Sequence, residues 1–122
     1  MNKALPEFIY VLRAVRTEML TRGPTANEAR ILGQHFHYLE ELRQRGRLVL
    51  AGRTTTNNSE TFGIAIFRAE SSAAAAELMN GDPAVRKGLM TAELFPFSIA
   101  LLAGQDPTAG APDAAAAATE SA

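Results

Sequence analysis

The sequence predicts an α+β domain of the order β-α-β-β-α-β, folded as a four-stranded antiparallel sheet with both helices on one face. Three observations predict it. Four segments dense in Phe, Ile, Val and Leu stand between turn residues, at 7–13, 47–53, 61–69 and within 91–102. A long amphipathic stretch with a capping signature separates the first from the second, and an Ala-rich stretch separates the third from the fourth. The middle two strands are joined by TTTNNSE, polar turn material that suits a hairpin.

Each element has its own local cause. EFIYVLR, after Pro6, is the first strand. Residues 17–22 form a connector of about one helical turn, closed by Gly23-Pro24. Thr25-Ala26-Asn27-Glu28 reads as a capping box, with Thr25 as N-cap and Glu28 reaching back. The helix it opens runs to about Arg45 and stops at Gly46, after the basic Arg43 and Arg45. RLVLAGR and TFGIAIFRA follow as the second and third strands. Ser71 or Ser72 caps a second helix through Met79, ended by Asn80-Gly81. Asp82-Pro83 then opens a short turn to Lys87, with Asp82 as N-cap and Pro83 at the first helical position. The fourth strand lies in TAELFPFSIALL, where Pro96 suggests an edge position or a bulge.

The chain has 122 residues, which suits one domain. Residues 104–122 include 8 Ala among 19 residues, with Pro and Gly and no large apolar side chain, so they read as a disordered tail. The folding unit is then 1–103. Lys and Arg number 12 against 13 Asp and Glu, a formal net charge of −1, which argues against nucleic acid and an anionic membrane surface as partners. The absence of Cys excludes disulfides, thiolate metal sites and a Cys nucleophile. The N-terminal apolar run is too short for a signal peptide, so the expected setting is the cytoplasm.

The strand faces carry a further expectation. Phe8, Tyr10 and Leu12 oppose Ile9 and Val11, and Leu48 and Leu50 oppose Val49 and Ala51. Phe62, Ile64 and Ile66 oppose Ala65 and Phe67, and Leu94 opposes Phe95 and Phe97. A sheet with one wet face alternates apolar with polar; this one is apolar on both sides. Two helices cover one side only, so the other is an interaction surface. Its economical cover is the same face of a second copy, related by a two-fold axis. The expectation is a homodimer, a ferredoxin-like unit closing into a dimeric α+β barrel.

The two histidines, His35 and His37, fall on opposite sides of the first long helix. At roughly 100° per residue, Ile31, His35, Leu39 and Leu42 form one stripe, while His37 shares the outer side with Arg30, Gln34 and Glu41. They cannot chelate one metal from a regular helix, and no metal site is expected. His35 is the titratable ring of an apolar stripe. One reading is a buried histidine satisfied by a backbone carbonyl; the other is a general acid–base group oriented by a carboxylate. Asp82 is the candidate carboxylate, because it follows the second helix on the same sheet face, and capping and orienting can coexist on its two oxygens. Arg13 and Arg53 end apolar strands; each is either solvated or a holder of a substrate carboxylate. Tyr38 reads as core or rim.

HFHYLEELRQRGRLVLAGR, TFGIAIFRAES and MNGDPAVRKGLMTAELFPF together resemble the YciI-like family of the dimeric α+β barrel superfamily, over about residues 7–102. The matching pattern is a His on the first long helix, a second strand ending in Ala-Gly, and an Asp-Pro after the second helix. The family's His stands eleven positions before the Gly that ends the helix, which selects His35 over His37. The TTTNNSE turn and the Ala-rich tail depart from the family core without touching these positions. The resemblance implies an active-site pair of His35 and Asp82. It also implies lyase, dehydrochlorinase or isomerase chemistry, without a cofactor, on small and often ring-derived molecules. A second class of function stands beside it: a non-catalytic dimeric module that binds a small molecule or supports a partner enzyme. RNA binding through the same topology does not fit, because TFGIAIFRA lacks the aromatic and basic pattern of an RNA-reading sheet.

Overall fold

The computed structural model describes residues 5–104. The order is β1 (Glu7–Ala14), α1 (Glu18–Thr21), α2 (Ala26–Gln44), β2 (Leu48–Arg53), β3 (Gly63–Arg68), α3 (Ser72–Gly81), α4 (Pro83–Arg86) and β4 (Met90–Phe97). The four strands form one sheet in the order β2-β3-β1-β4, with every pair antiparallel. This is the expected ferredoxin-like unit. Of the expected tail, 104–122, all but Gly104 lies outside the described residues. No helix among the described residues is long and apolar enough to cross a membrane.

The local signals act as chemistry requires. Both halves of the capping box form: Glu28 N donates to Thr25 Oγ1 at 3.1 Å, and Thr25 N donates to Glu28 Oε1 at 2.9 Å. Gly46 ends α2 with φ of 75°, a left-handed conformation that a side chain would resist. Ser71 accepts from Ala74 N and caps α3, which runs on through Gly81, two residues past the expected Met79. Pro96 sits on β4, which pairs with β1 alone and is an edge of the sheet, so a missing N–H is tolerated there.

Register sorts the side chains. Phe8, Tyr10 and Leu12 of β1 stand opposite Phe67, Ala65 and Gly63 of β3, and opposite Pro96, Leu94 and Ala92 of β4. This row faces the helices and, with Leu39 and Leu42 from α2 and Ala75 from α3, makes the core. Tyr10 and Phe67 meet edge to face, with ring centres 5.5 Å apart. The other face carries Ile9, Val11, Ile64, Ile66, Phe95 and Phe97 and has no helix on it.

One expectation is corrected. Strict alternation puts Leu48 and Leu50 on one face. In the structure Leu48 pairs with Phe67 and Leu50 with Ile66, adjacent residues of β3, because the register of β2 shifts between them. The extra residue of this bulge turns Leu48 toward the helices and Leu50 toward the open face.

Candidate active site

Asp82 lies in the turn between α3 and α4, completely buried, and is the N-cap of α4. Its carboxylate gathers three donors. Ala84 N donates to Oδ1 at 2.9 Å, the capping bond that Asp-Pro predicts. Tyr10 Oη, from the centre of β1, donates to Oδ2 at 2.7 Å. His35 Nδ1, from the sheet-facing side of α2, lies 2.8 Å from Oδ1 and 2.9 Å from Oδ2. Three elements far apart in sequence thus meet on one carboxylate. No buried side-chain nitrogen or oxygen among the described residues lacks a partner, as buried polar groups require.

The proton positions follow from the partners. Burial first, then the charge of Asp82 and the bond to it, push the Tyr10 phenol well above its ordinary value, so it keeps its proton and donates. Both Asp82 oxygens already accept from Tyr10 and Ala84. A carboxylate offers only acceptor oxygens, so His35 Nδ1 takes the donor's part, while Nε2 makes no hydrogen bond among the described residues. Tyr38 borders the same turn. Its hydroxyl donates to Leu78 O at 2.7 Å, and burial raises its pKa as well. A Cβ at Gly81 would come within 3.0 Å of that hydroxyl, so the residue before Asp82 is one that lets α3 approach α2 closely.

The two histidines differ as their spacing demands. The His35 side chain is 15% exposed, while that of His37 is 75% exposed and lies 3.4 Å from Glu41. His35 lines a cavity of about 720 Å³ between α2 and the helix-facing side of the sheet. Leu12, Leu39, Leu48 and Met90 supply much of its apolar wall, and the exposed Phe36 stands beside it. Of the strand-end arginines, Arg53 lines this cavity and Arg13 does not. Arg13 is stacked over the Phe62 ring, 5.2 Å from its centre. Among the described residues no three His, Cys, Asp or Glu cluster as metal ligands.

The family model for the YCII-related domain matches residues 8–98. The chain belongs to the YCII-related domain family. No curated protein matches this YCII-related chain. Among solved structures, it is similar to 5-chloro-2-hydroxyhydroquinone dehydrochlorinase (TftG) from Burkholderia phenoliruptrix AC1100, in complex with 2,5-dihydroxybenzoquinone. The identity is 20% and the TM-score 0.54, over 75% of this chain and 93% of that one, a likeness of fold. SnoaB, a cofactor-independent oxygenase from Streptomyces nogalater, aligns at 11% identity and a TM-score of 0.43, over 84% of this chain and 100% of that one.

Tyr10 is the member of this candidate cluster that sequence reasoning missed. It belongs to the expected core row between Phe8 and Leu12, and it is found there. The signal is its hydroxyl: a tyrosine in the middle of a central strand needs a buried partner. Which partner depends on β1 passing under the turn at Asp82, 72 residues away.

Proposed function

We propose that this chain is a cofactor-free enzyme that moves protons on a small, ring-derived molecule, with His35 as general base and acid and Asp82 as its orienting partner. The observation that carries the reading is an imidazole on the wall of an apolar cavity, its Nδ1 held by a buried carboxylate and its Nε2 unengaged. Nε2 takes a proton from a C–H or O–H of the bound molecule, and the positive charge that develops on the ring is offset by Asp82. In an elimination the electron pair of the broken C–H bond forms the new double bond, and the leaving group departs with its own pair. In an isomerisation the same nitrogen returns the proton at a second carbon. The dehydrochlorination that names TftG is one reaction of this class. The cavity is of a size that takes a ring-sized ligand.

The working particle is a homodimer in this reading. Leu50, Phe95 and Phe97 are 41%, 45% and 37% exposed on the helix-free face, beside Ile9, Val11 and Ile64. A patch of this composition is covered in stable proteins, and a second copy supplies a self-complementary cover.

The test is turnover across a panel of ring compounds. The full chain is incubated in deuterium oxide with hydroxyquinols, cyclic enones and lactones, and exchange or elimination is followed by proton NMR. Wild type is expected to exchange or convert at least one compound, and His35→Gln to lower that rate by about 100-fold or more while circular dichroism shows that it remains folded at the assay temperature. A His35→Gln protein as fast as wild type, or a wild type inert toward the whole panel, would contradict the reading.

A further inference from the structure

The cavity beside His35 owes its space to small residues at one end of the sheet. On the helix-facing side, β1, β3 and β2 contribute rows in register. Phe8, Phe67 and Leu48 make the first, and Tyr10, Ala65 and Ala51 the second. Leu12, Gly63 and Arg53 make the third. Bulk falls steadily along β3, from Phe67 to Ala65 to Gly63. A Cβ on Gly63 would stand 3.3 Å from the Gly52 carbonyl oxygen, 3.8 Å from the Arg53 Cβ and 3.9 Å from the Leu12 Cβ, so any side chain there would press on β2 and enter the cavity floor between Arg53 and Leu12. Gly63 does not adopt a positive φ, so what keeps this position small is the close approach of the Gly52 carbonyl on β2 together with the cavity floor.

The charges around this space do not balance. Glu40 and Arg43 also line it, but they bind each other, with Arg43 Nη2 at 2.6 Å and Nε at 2.9 Å from the Glu40 carboxylate. That pair holds Glu40 at a pKa of about 2 and is electrically closed. The Thr61 hydroxyl donates to Thr56 O. Arg53 has no carboxylate within ion-pair distance among the described residues; its one side-chain bond runs from Nη2 to Asn57 Oδ1 at 3.3 Å. A guanidinium presents five N–H donors in a fork that matches a carboxylate, so most of its capacity stands open. The lining therefore combines apolar walls, an imidazole and an unmatched guanidinium beside a glycine floor.

From this arrangement we propose that the cavity takes a ring compound bearing a carboxylate, with the ring over Gly63 and the carboxylate on Arg53, presenting the rest of the ring to His35. The proposal rests on the acid–base reading of His35 for its consequence, and on Arg53 and Gly63 for its content. Apolar burial holds the ring, and the forked ion pair fixes which edge faces the imidazole. A neutral ring of the same shape enters the cavity without that orientation and binds less tightly.

Binding is measured with 2-naphthoate and its neutral isostere 2-naphthamide, using the naphthalene fluorescence, since the chain contains no Trp. The full chain is titrated as wild type, Arg53→Gln, Gly63→Val and His35→Gln. Wild type is expected to prefer the acid over the amide by about tenfold, the scale of one charge-assisted pair at a partly wet site. Arg53→Gln removes that preference and leaves amide binding unchanged. Gly63→Val weakens both ligands alike; circular dichroism confirms that it folds, and Gly63→Ala replaces it if it does not. Three results would overturn the proposal: equal affinity for acid and amide in wild type, no binding of either, or a preference that survives Arg53→Gln, which its loss in His35→Gln would reassign to the imidazole. No turnover is needed, so the outcome stands apart from whether His35 catalyses.

Discussion

At the scale of single residues, Asp82 is the group on which most depends. It caps α4, accepts the Tyr10 hydroxyl and holds His35, all from a completely buried position. Removing one donor and removing the acceptor are unequal changes. Tyr10→Phe takes one O–H from Asp82 Oδ2 and leaves two donors on the carboxylate; it is expected to cost about 1–3 kcal/mol. Asp82→Ala strands a phenol, a backbone N–H and an imidazole N–H together. It is expected to cost more, about 3–5 kcal/mol, as loss of one partner of a buried charged network does. Urea unfolding of the two variants checks the order, and equal losses would mean that the three bonds do not act through the carboxylate. The Asp82 cap and the inward turn of His35 are both legible in the sequence. Asp-Pro is a helix start in itself, and the spacing of Ile31, His35, Leu39 and Leu42 fixes a helix face. The Tyr10 bond is not legible there, because it depends on which strand passes beneath the turn.

At the scale of elements, local signals and long-range pairing divide the work. The capping box, Gly46 and the hairpin turn act within a few residues, and the expected boundaries of α2 and β1 lie within about two residues of those found. The shift of β2 between Leu48 and Leu50 is set by its partner β3, and nothing in RLVLAGR marks it. The start of α2 also carries a pH dependence. Hydrogen bonds from the Arg16 side chain and the Thr25 backbone hold Glu28 at about 2, below its ordinary 4.5. A carboxyl lowered on folding contributes stability that is complete above the unfolded value and lost as pH falls through the folded one. The melting temperature is therefore expected to decline between about pH 4.5 and 2. Glu28→Gln should show less of that decline, and salt should weaken the effect, since the ion pair is exposed. A Glu28→Gln protein with the same acid profile as wild type would remove this cause.

At the scale of the whole molecule, the sheet is a wall with two apolar sides and helices on one of them. The reading of the open face leads to a particle of two copies. Sedimentation equilibrium is expected to give twice the 13.0 kDa of the chain, and Phe95→Glu to return it to one. A wild-type protein that sediments as a single copy would leave the Leu50, Phe95 and Phe97 patch to another partner. The fold class and both apolar faces are visible in alternation along the strands. The cavity is not, because it arises from Gly63, Ala51 and Leu12 falling into adjacent strands, a matter of register.

The most direct measurement of the proposed chemistry is a long-range proton–nitrogen spectrum of the imidazoles in the full chain at about pH 8, above the ordinary imidazole range, with His37→Ala assigning the signals. The account predicts that His35 carries its proton on Nδ1 and leaves Nε2 bare. A proton on Nε2, with Nδ1 bare toward Asp82, would contradict it.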